Sequence, residues 1–358
     1  MKSYLETKPD LEVSLNRMEA FWNCSVLDRP FVHIPTAKTN AQPWPQKQFA
    51  SNRERWLDVE FAVEMALALT ENILWKGDSI PVFFPNLGPE VMSCGFGAEL
   101  EFSEYTSWSK PVIHDWNQVE GLKFDPDNFY IQKICELIKL GVEKGKGKFI
   151  TGITDIHPGG DLAASLREPQ QFCIDMMESP DEVEALLQKI QPAFEEFYNL
   201  QYDLMQAGGQ VMTTTWAPLY TEGKYYVPSN DFSCMISPRS YKKYFVERLE
   251  KEIEFLDRSI YHLDGPNALQ HLPAILGMKK LDAVQWVFGA GNGTPKDWIH
   301  VYKQIQDAGK GIQIIECGYN DLDAIISTLK PEGVAITTAA GSEQEADAFL
   351  KKVTEWKK

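Results

Sequence analysis

Three things are scarce in this chain of 358 residues. Cysteine is the first: the six (Cys24, Cys94, Cys135, Cys173, Cys234 and Cys317) lie far apart, with no Cys-x-x-Cys pair. That spread argues against a disulfide framework and suits reduced thiols in a cytosol. Positive charge is the second. Thirty-five Lys and Arg against 51 Asp and Glu leave a net charge of −16, which disfavours nucleic acid or an anionic membrane as a partner. Long apolar runs are the third, since none approaches the roughly 18 residues of a membrane span. The start, Met1-Lys-Ser-Tyr-Leu-Glu, has no apolar core of a secretion signal. A soluble, acidic, cytoplasmic protein is expected.

What is present is ample apolar material: 44% hydrophobic residues and ten tryptophans, enough for one large core. The C-terminal two thirds repeats a short apolar run, a turn and an amphipathic helix. The runs are 149–156, 210–216, 259–264, 283–288, 311–317 and 333–338. Ser179-Pro180, Ser237-Pro238 and Thr294-Pro295 offer helix starts, and Ser342 with Glu345 reads as a capping box. Ala207-Gly-Gly209 and Ala308-Gly309 read as helix stops. Six such units predict a parallel sheet, and that number favours a single (β/α)8 barrel. Residues 31–35 and 80–85 are candidates for the two remaining strands, with a helix over 51–75 between them. The segment 87–116 is expected to run over the barrel mouth. One domain is expected over 1–358, with 1–80 as a helical extension carrying the first strand and 81–358 as the main barrel.

In such a barrel, chemistry sits at the carboxyl ends of the strands. Those positions hold Asp155, His157 and Asp161, then Trp216, Tyr220 and Asp231, then His262 and Asp264, and further on Gln285, Trp286, Glu316, Cys317, Thr337 and Thr338. His262 and Asp264, two apart on a strand, share a face. With Cys317 they form a candidate zinc site. The plainer reading makes His262 a hydrogen-bonded interior residue, Asp264 a turn cap before Gly265-Pro266 and Cys317 a core filler. Asp155 and His157 repeat the spacing and read as a second polar wall that binds substrate or relays a proton, with Asp161 as either a ligand contact or a helix cap. Without a metal, His262 and Asp264 are read as a catalytic general acid–base pair beside them. Asp161, Trp216, Tyr220, Asp231, Gln285 and Trp286 are the candidate substrate contacts. Gly289-Ala-Gly-Asn-Gly-Thr-Pro295 reads first as a flexible loop, lacking the lysine of a phosphate-binding loop.

These stretches carry a resemblance. Asn86-Leu-Gly-Pro89, Gly97-Ala-Glu99, Thr106-Ser-Trp108, Leu166-Arg-Glu-Pro169, Ser179-Pro-Asp-Glu-Val183 and Asn230-Asp-Phe-Ser-Cys-Met-Ile-Ser-Pro238, followed by the His262 strand, resemble in their order the uroporphyrinogen decarboxylase-like superfamily. The branch they resemble is that of corrinoid-dependent methyltransferases. The resemblance implies a (β/α)8 barrel and methyl transfer between a small donor or acceptor, a thiol or tetrahydrofolate, and a methylcobalamin or other corrinoid supplied by a partner protein. It also implies zinc, held in that branch by a His-x-Cys pair and a distant cysteine. Here His262 matches the histidine, Asp264 stands in place of the first cysteine and Cys317 matches the distant one. True porphyrinogen decarboxylases carry an arginine-rich N-terminal signature; this chain offers only Asp28-Arg-Pro30 there. A decarboxylase is therefore one alternative, and a non-catalytic binding barrel is another. A homodimer is the assembly allowed for.

Overall fold

The computed structural model describes residues 4–356. The described residues form thirteen strands, most of the later ones separated by helices. They are β1 (Phe31–Ala37), β2 (Ile73–Gly77), β3 (Val82–Phe83), β4 (Leu100–Phe102), β5 (Ser107–Ser109), β6 (Ile150–Thr151) and β7 (Met212–Thr214), then β8 (Tyr220–Glu222), β9 (Tyr225–Tyr226), β10 (Arg258–Asp264), β11 (Ala283–Val287), β12 (Gly311–Ile315) and β13 (Val334–Thr337). A seven-stranded sheet runs β2-β1-β13-β12-β11-β10-β9, and all its pairings except β1–β2 are parallel. β3 and β6 form a separate parallel pair. Single hydrogen bonds step onward from there: Gly152 N–H donates to Phe83 O (2.8 Å) and Ile153 N–H to Thr214 O (2.8 Å). The architecture is mixed α/β and compatible with a barrel, although among the described residues the ladder does not close into a ring of eight strands.

Strand alternation sorts the core into two layers. Phe31, Ile80, Ile150, Met212, Ile260, Ala283 and Ala335 gather in one cluster with Tyr225 and Trp22. Val32, Tyr261, Val284, Ile312 and Val334 face the other way and pack with the helices. Each fully buried aliphatic or aromatic side chain of this kind contributes about 1.5–3 kcal/mol. The helix Leu11–Trp22 closes the amino ends of the strands, where the Trp22 indole donates to Tyr220 O (3.1 Å). Packing is tight at Gly311, where a Cβ would stand 3.1 Å from both the Ala283 methyl and the Phe21 ring.

At the same end lies a buried ion cluster. Asp78, fully buried, accepts from Arg29 (2.6 and 3.1 Å), from Arg17 (2.9 Å) and from the Val32 N–H (2.9 Å). Arg29 of the Asp28-Arg-Pro30 run is thus committed to structure at the far end from the strand carboxyl ends. It cannot grip a substrate carboxylate.

Several expectations change in detail. The helix expected over 51–75 is two helices, Asn52–Trp56 and Val59–Asn72, because the Asp58 carboxylate accepts from Phe61 N–H (2.8 Å) and starts a second one. Its last residues, Ile73-Leu-Trp75, are β-prone and pair antiparallel with β1 instead. The strand expected at 80–85 shrinks to Val82–Phe83, since Pro81 and Pro85 have no N–H for a ladder. Ser237 caps as expected, whereas Ser179 makes no side-chain cap bond. Ser342 accepts from Glu345 N–H, but the Glu345 carboxylate accepts from Gly341 N–H (2.9 Å), so the reciprocal box is not formed. The 87–116 segment contributes the helix Val91–Cys94, which packs on the helices Phe129–Gly145 and Gly159–Arg167. No described helix is long and apolar enough to cross a membrane.

Glu252, on the helix Val246–Phe255, is 2% exposed, with Gln191 Nε2 3.4 Å from its carboxyl. Burial pushes its pKa up to about 8, with the Asp161 charge adding, against the Gln191 bond and the Arg248 charge. A carboxyl raised on folding contributes its full stability below its ordinary pKa near 4.3 and loses it as pH rises through the folded value. Glu252→Gln is therefore expected to be close to the parent at pH 4 and to be more stable by about 4–5 kcal/mol at pH 8. Denaturant melts at both pH values check this, and a difference that does not change with pH would contradict it.

Candidate functional site

The site is built on β10. Its alternate residues Ile260, His262 and Asp264 share one face, and Gly265, at φ +80°, turns the chain immediately after. The segment before the 3-10 helix Asp231–Met235 lies alongside: His262 N–H donates to Pro228 O (2.9 Å), and Ser229 bridges to His262. This contact delivers Asp231, whose Oδ1 stands 4.0 Å from His262 Nε2. Asp231, His262 and Asp264 each offer a ligand atom within 4.8 Å of the other two. Cys317 does not join them. It follows Glu316, which adopts a left-handed conformation (φ +53°) where β12 has ended. Its thiol is fully buried in the helix-facing core, 3.8 Å from Gly318 O, and burial pushes its pKa up to about 12. The grouping found in the structure replaces Cys317 by Asp231.

A hydrogen-bonded chain fixes the His262 ring. Its Nδ1 is 2.5 Å from Gln285 Oε1, Gln285 Nε2 donates to Gln313 Oε1 (2.7 Å), and Gln313 Nε2 donates to Thr337 Oγ1 (2.8 Å). His262, Gln285 and Gln313 are register partners on β10, β11 and β12. Because the Gln285 amide nitrogen is committed to Gln313, its oxygen faces the imidazole and requires Nδ1–H there. Nε2 is then left as the lone-pair nitrogen on the side of Asp231. Trp216 meets the ring edge-on, with centroids 5.0 Å apart. Trp286, one residue beyond Gln285, faces the opposite way. It is buried in the helix-side core against Trp298 and is not placed as a substrate contact.

The Asp155 segment forms a second cluster. His157 Nε2 is 3.2 Å from Asp155 Oδ1, and Nδ1 is 3.9 Å from Asp161 Oδ2. Burial works against the charged imidazole, but the carboxylates of Asp155, Asp161 and Asp231 outweigh it and raise its pKa to about 10. Tyr226 anchors this turn, since its hydroxyl donates to Ile156 O (2.6 Å) and accepts from Ile156 N–H. Asp161 sits in the first turn of the helix Gly159–Arg167 and accepts from Asp231 N–H (3.0 Å) and Phe232 N–H (2.7 Å). It caps the element that carries Asp231. Burial and the Asp231 charge together push its carboxyl up to about 6.

Asp155-Ile-His157-Pro-Gly-Gly160 also has the Asp-x-His-x-x-Gly spacing of a corrinoid-binding run. Here both His157 ring nitrogens face carboxylates, Nε2 that of Asp155 at 3.2 Å and Nδ1 that of Asp161 at 3.9 Å.

Tyr220 is turned away from this region. β8 runs antiparallel to β7, so the chain doubles back. The ring is then buried against Phe31, and its hydroxyl donates to Asp78 O (3.0 Å). Sequence reasoning also missed residues that belong here. His33 Nδ1, Ser229 Oγ, both amide atoms of Asn230 and Thr215 Oγ1 are buried without a protein partner, as is Nε1 of the expected contact Trp216. His33 and Gln313 were legible from parity, since they share the faces of Phe31 and Gly311. Ser229 and Asn230 carried no local signal.

The donor set suits a divalent metal. It combines one imidazole nitrogen with a free lone pair and two carboxylates that no lysine or arginine pairs with among the described residues. Burial and the neighbouring Asp231 charge raise Asp264, against the pull of His262, and a cation would relieve that crowding. Gln285→Leu is expected to weaken zinc binding about 10–100-fold by freeing the imidazole tautomer. Competition titration against a chromophoric chelator measures it, and an unchanged affinity would mean that the amide chain does not orient His262.

No protein family matches the chain, and no curated protein matches it. Among solved structures, a methyltransferase from Methanosarcina mazei is similar, with a TM-score of 0.64 and 15% identity over 96% of this chain and 98% of that one. At that identity the likeness establishes a common fold.

Proposed function

We propose that this chain is a methyltransferase on a (β/α)8 barrel, moving a methyl group between a corrinoid carried by a separate protein and a small-molecule donor or acceptor. The observation that carries the reading is the convergence of Asp231, His262 and Asp264 at the strand carboxyl ends, in a fold like that of a methyltransferase. Zinc fits these three residues and, when bound, supplies a Lewis acid that makes a thiol or water nucleophilic near neutral pH. The remaining roles belong to the protein. His262 presents Nε2, held in that tautomer through Gln285 and Gln313. Asp161 holds the Asp231 segment in place. His157, kept cationic beside Asp155, offers a positive charge to a developing anion. A porphyrinogen decarboxylase is disfavoured, since Arg29 is bonded to Asp78 at the other end of the strands.

The test is to mix the zinc-loaded protein with a methylated corrinoid protein and with thiol or tetrahydrofolate acceptors, following the cobalamin spectrum. Demethylation with at least one acceptor, or methylation of the reduced corrinoid by a small donor, is expected. A spectrum unchanged in both directions would leave a binding barrel without catalysis.

A further inference from the structure

Beside the polar cluster lies a cavity of about 530 Å3, lined among others by His33, Trp75, Val82, Phe84, Thr215 and Trp216. That size falls within the range of about 300–1,000 Å3 typical of small-molecule pockets. Its position follows from the strands: Phe84 follows β3, Thr215 and Trp216 follow β7, and Ala339 and Ala340 follow β13, so it opens at the carboxyl ends. Trp216 is common to both sites, lining the cavity and touching the His262 ring. Another cavity, of about 400 Å3 beside Phe149 and Ile150, lies at the strand starts and has no such link to His262.

The lining is unusual for a methyltransferase of charged metabolites. It contains no lysine, arginine, aspartate or glutamate. His33 is its one titratable group, and burial pushes that imidazole down to about 3, so it is neutral. A carboxylate, sulfonate or phosphate placed there would lose its hydration and gain no counter-charge. The walls are instead aromatic, with Trp75, Phe84 and Trp216 offering ring edges and faces. Three buried polar atoms on the lining residues lack a protein partner: Trp216 Nε1, which only donates, Thr215 Oγ1 and His33 Nδ1. A ligand that satisfies Trp216 must bring a hydrogen-bond acceptor, such as an ether or carbonyl oxygen.

We infer that this cavity takes the small-molecule partner of the reaction, and that this partner is an uncharged aromatic compound carrying an ether or carbonyl oxygen. The inference rests on the reading of the neighbouring cluster as a methyl-transfer site and names the class of compound that site serves. It accounts for the division of the region, with charge gathered on the His157–Asp231–His262 side and none on the His33–Phe84 side.

The test compares methoxybenzene with 4-methoxybenzoate, two probes that differ by one charge, in calorimetric or ligand-observed NMR titrations of the full chain. No corrinoid or acceptor is added, so a failure of methyl transfer leaves the result intact. Methoxybenzene is expected to bind at least tenfold more tightly than the benzoate. Leu69→Trp, at a rim position 37% exposed and therefore tolerant of size, is expected to weaken methoxybenzene binding tenfold or more. Val82→Phe, on β3, is a second variant with the same expected effect. Equal or tighter binding of the benzoate, no binding of methoxybenzene up to its solubility limit, or unchanged affinity in both folded variants would overturn the inference.

Discussion

Asp78→Ala is expected to cost about 3–5 kcal/mol of unfolding free energy, the loss typical of removing one partner from a buried ion cluster. Asp78 has no exposed surface and accepts four hydrogen bonds, from Arg17, twice from Arg29 and from the Val32 amide. Arg17 keeps Asp28 as a partner at 2.6 and 2.7 Å, but Arg29, 7% exposed, keeps only the Pro30 carbonyl. The variant therefore leaves a buried guanidinium without a counter-charge and an unpaired N–H at the start of β1. Guanidinium denaturation measures the change. A loss below about 1 kcal/mol would mean that water reaches Arg29 and screens it, as at an exposed pair. Metal binding in the folded variant should be unaffected, because the cluster lies at the amino ends of the strands.

The second large effect is on chemistry. His262→Ala should lower methyl transfer about a thousandfold or more, since it removes the nitrogen donor of the proposed metal site along with the ring that Trp216 and Gln285 hold. His262 is only partly buried, with 14% of its side chain exposed, and its removal leaves no orphaned charge in the core. The fold should survive, so that lost activity can be separated from unfolding. Rates from the cobalamin spectrum, with a melting curve for the same preparation, supply both readings. Retention of a tenth of the parent rate would move the chemistry to the His157 cluster.

Much of this arrangement was legible because it follows parity. His262, Asp264 and Gln285 sit at alternate, inward positions of strands recognisable from apolar runs, and the helix starts at Ser237 and Ser342 carry their own chemical signatures. What escaped was tertiary. Asp231 reaches His262 only because its segment is pinned through Pro228 and Asp161, 70 residues away in sequence from Asp231, and no local pattern encodes that meeting. Cys317 was misplaced because the strand was taken to run through it. In fact β12 ends at Ile315 and the backbone turns at Glu316, which carries the thiol into the core. Tyr220 followed from the same kind of error, a hairpin at β7–β8 where a helix crossover was expected.

The most direct measurement is the zinc content of the folded chain prepared without chelators, set beside Asp231→Ala and Cys317→Ser. The account predicts close to one zinc per chain in the parent, little or none in Asp231→Ala and a full complement in Cys317→Ser, with all three melting cooperatively. A parent that takes up no zinc even when it is supplied in excess, or a loss of zinc in Cys317→Ser with full retention in Asp231→Ala, would contradict the assignment of the metal to Asp231, His262 and Asp264.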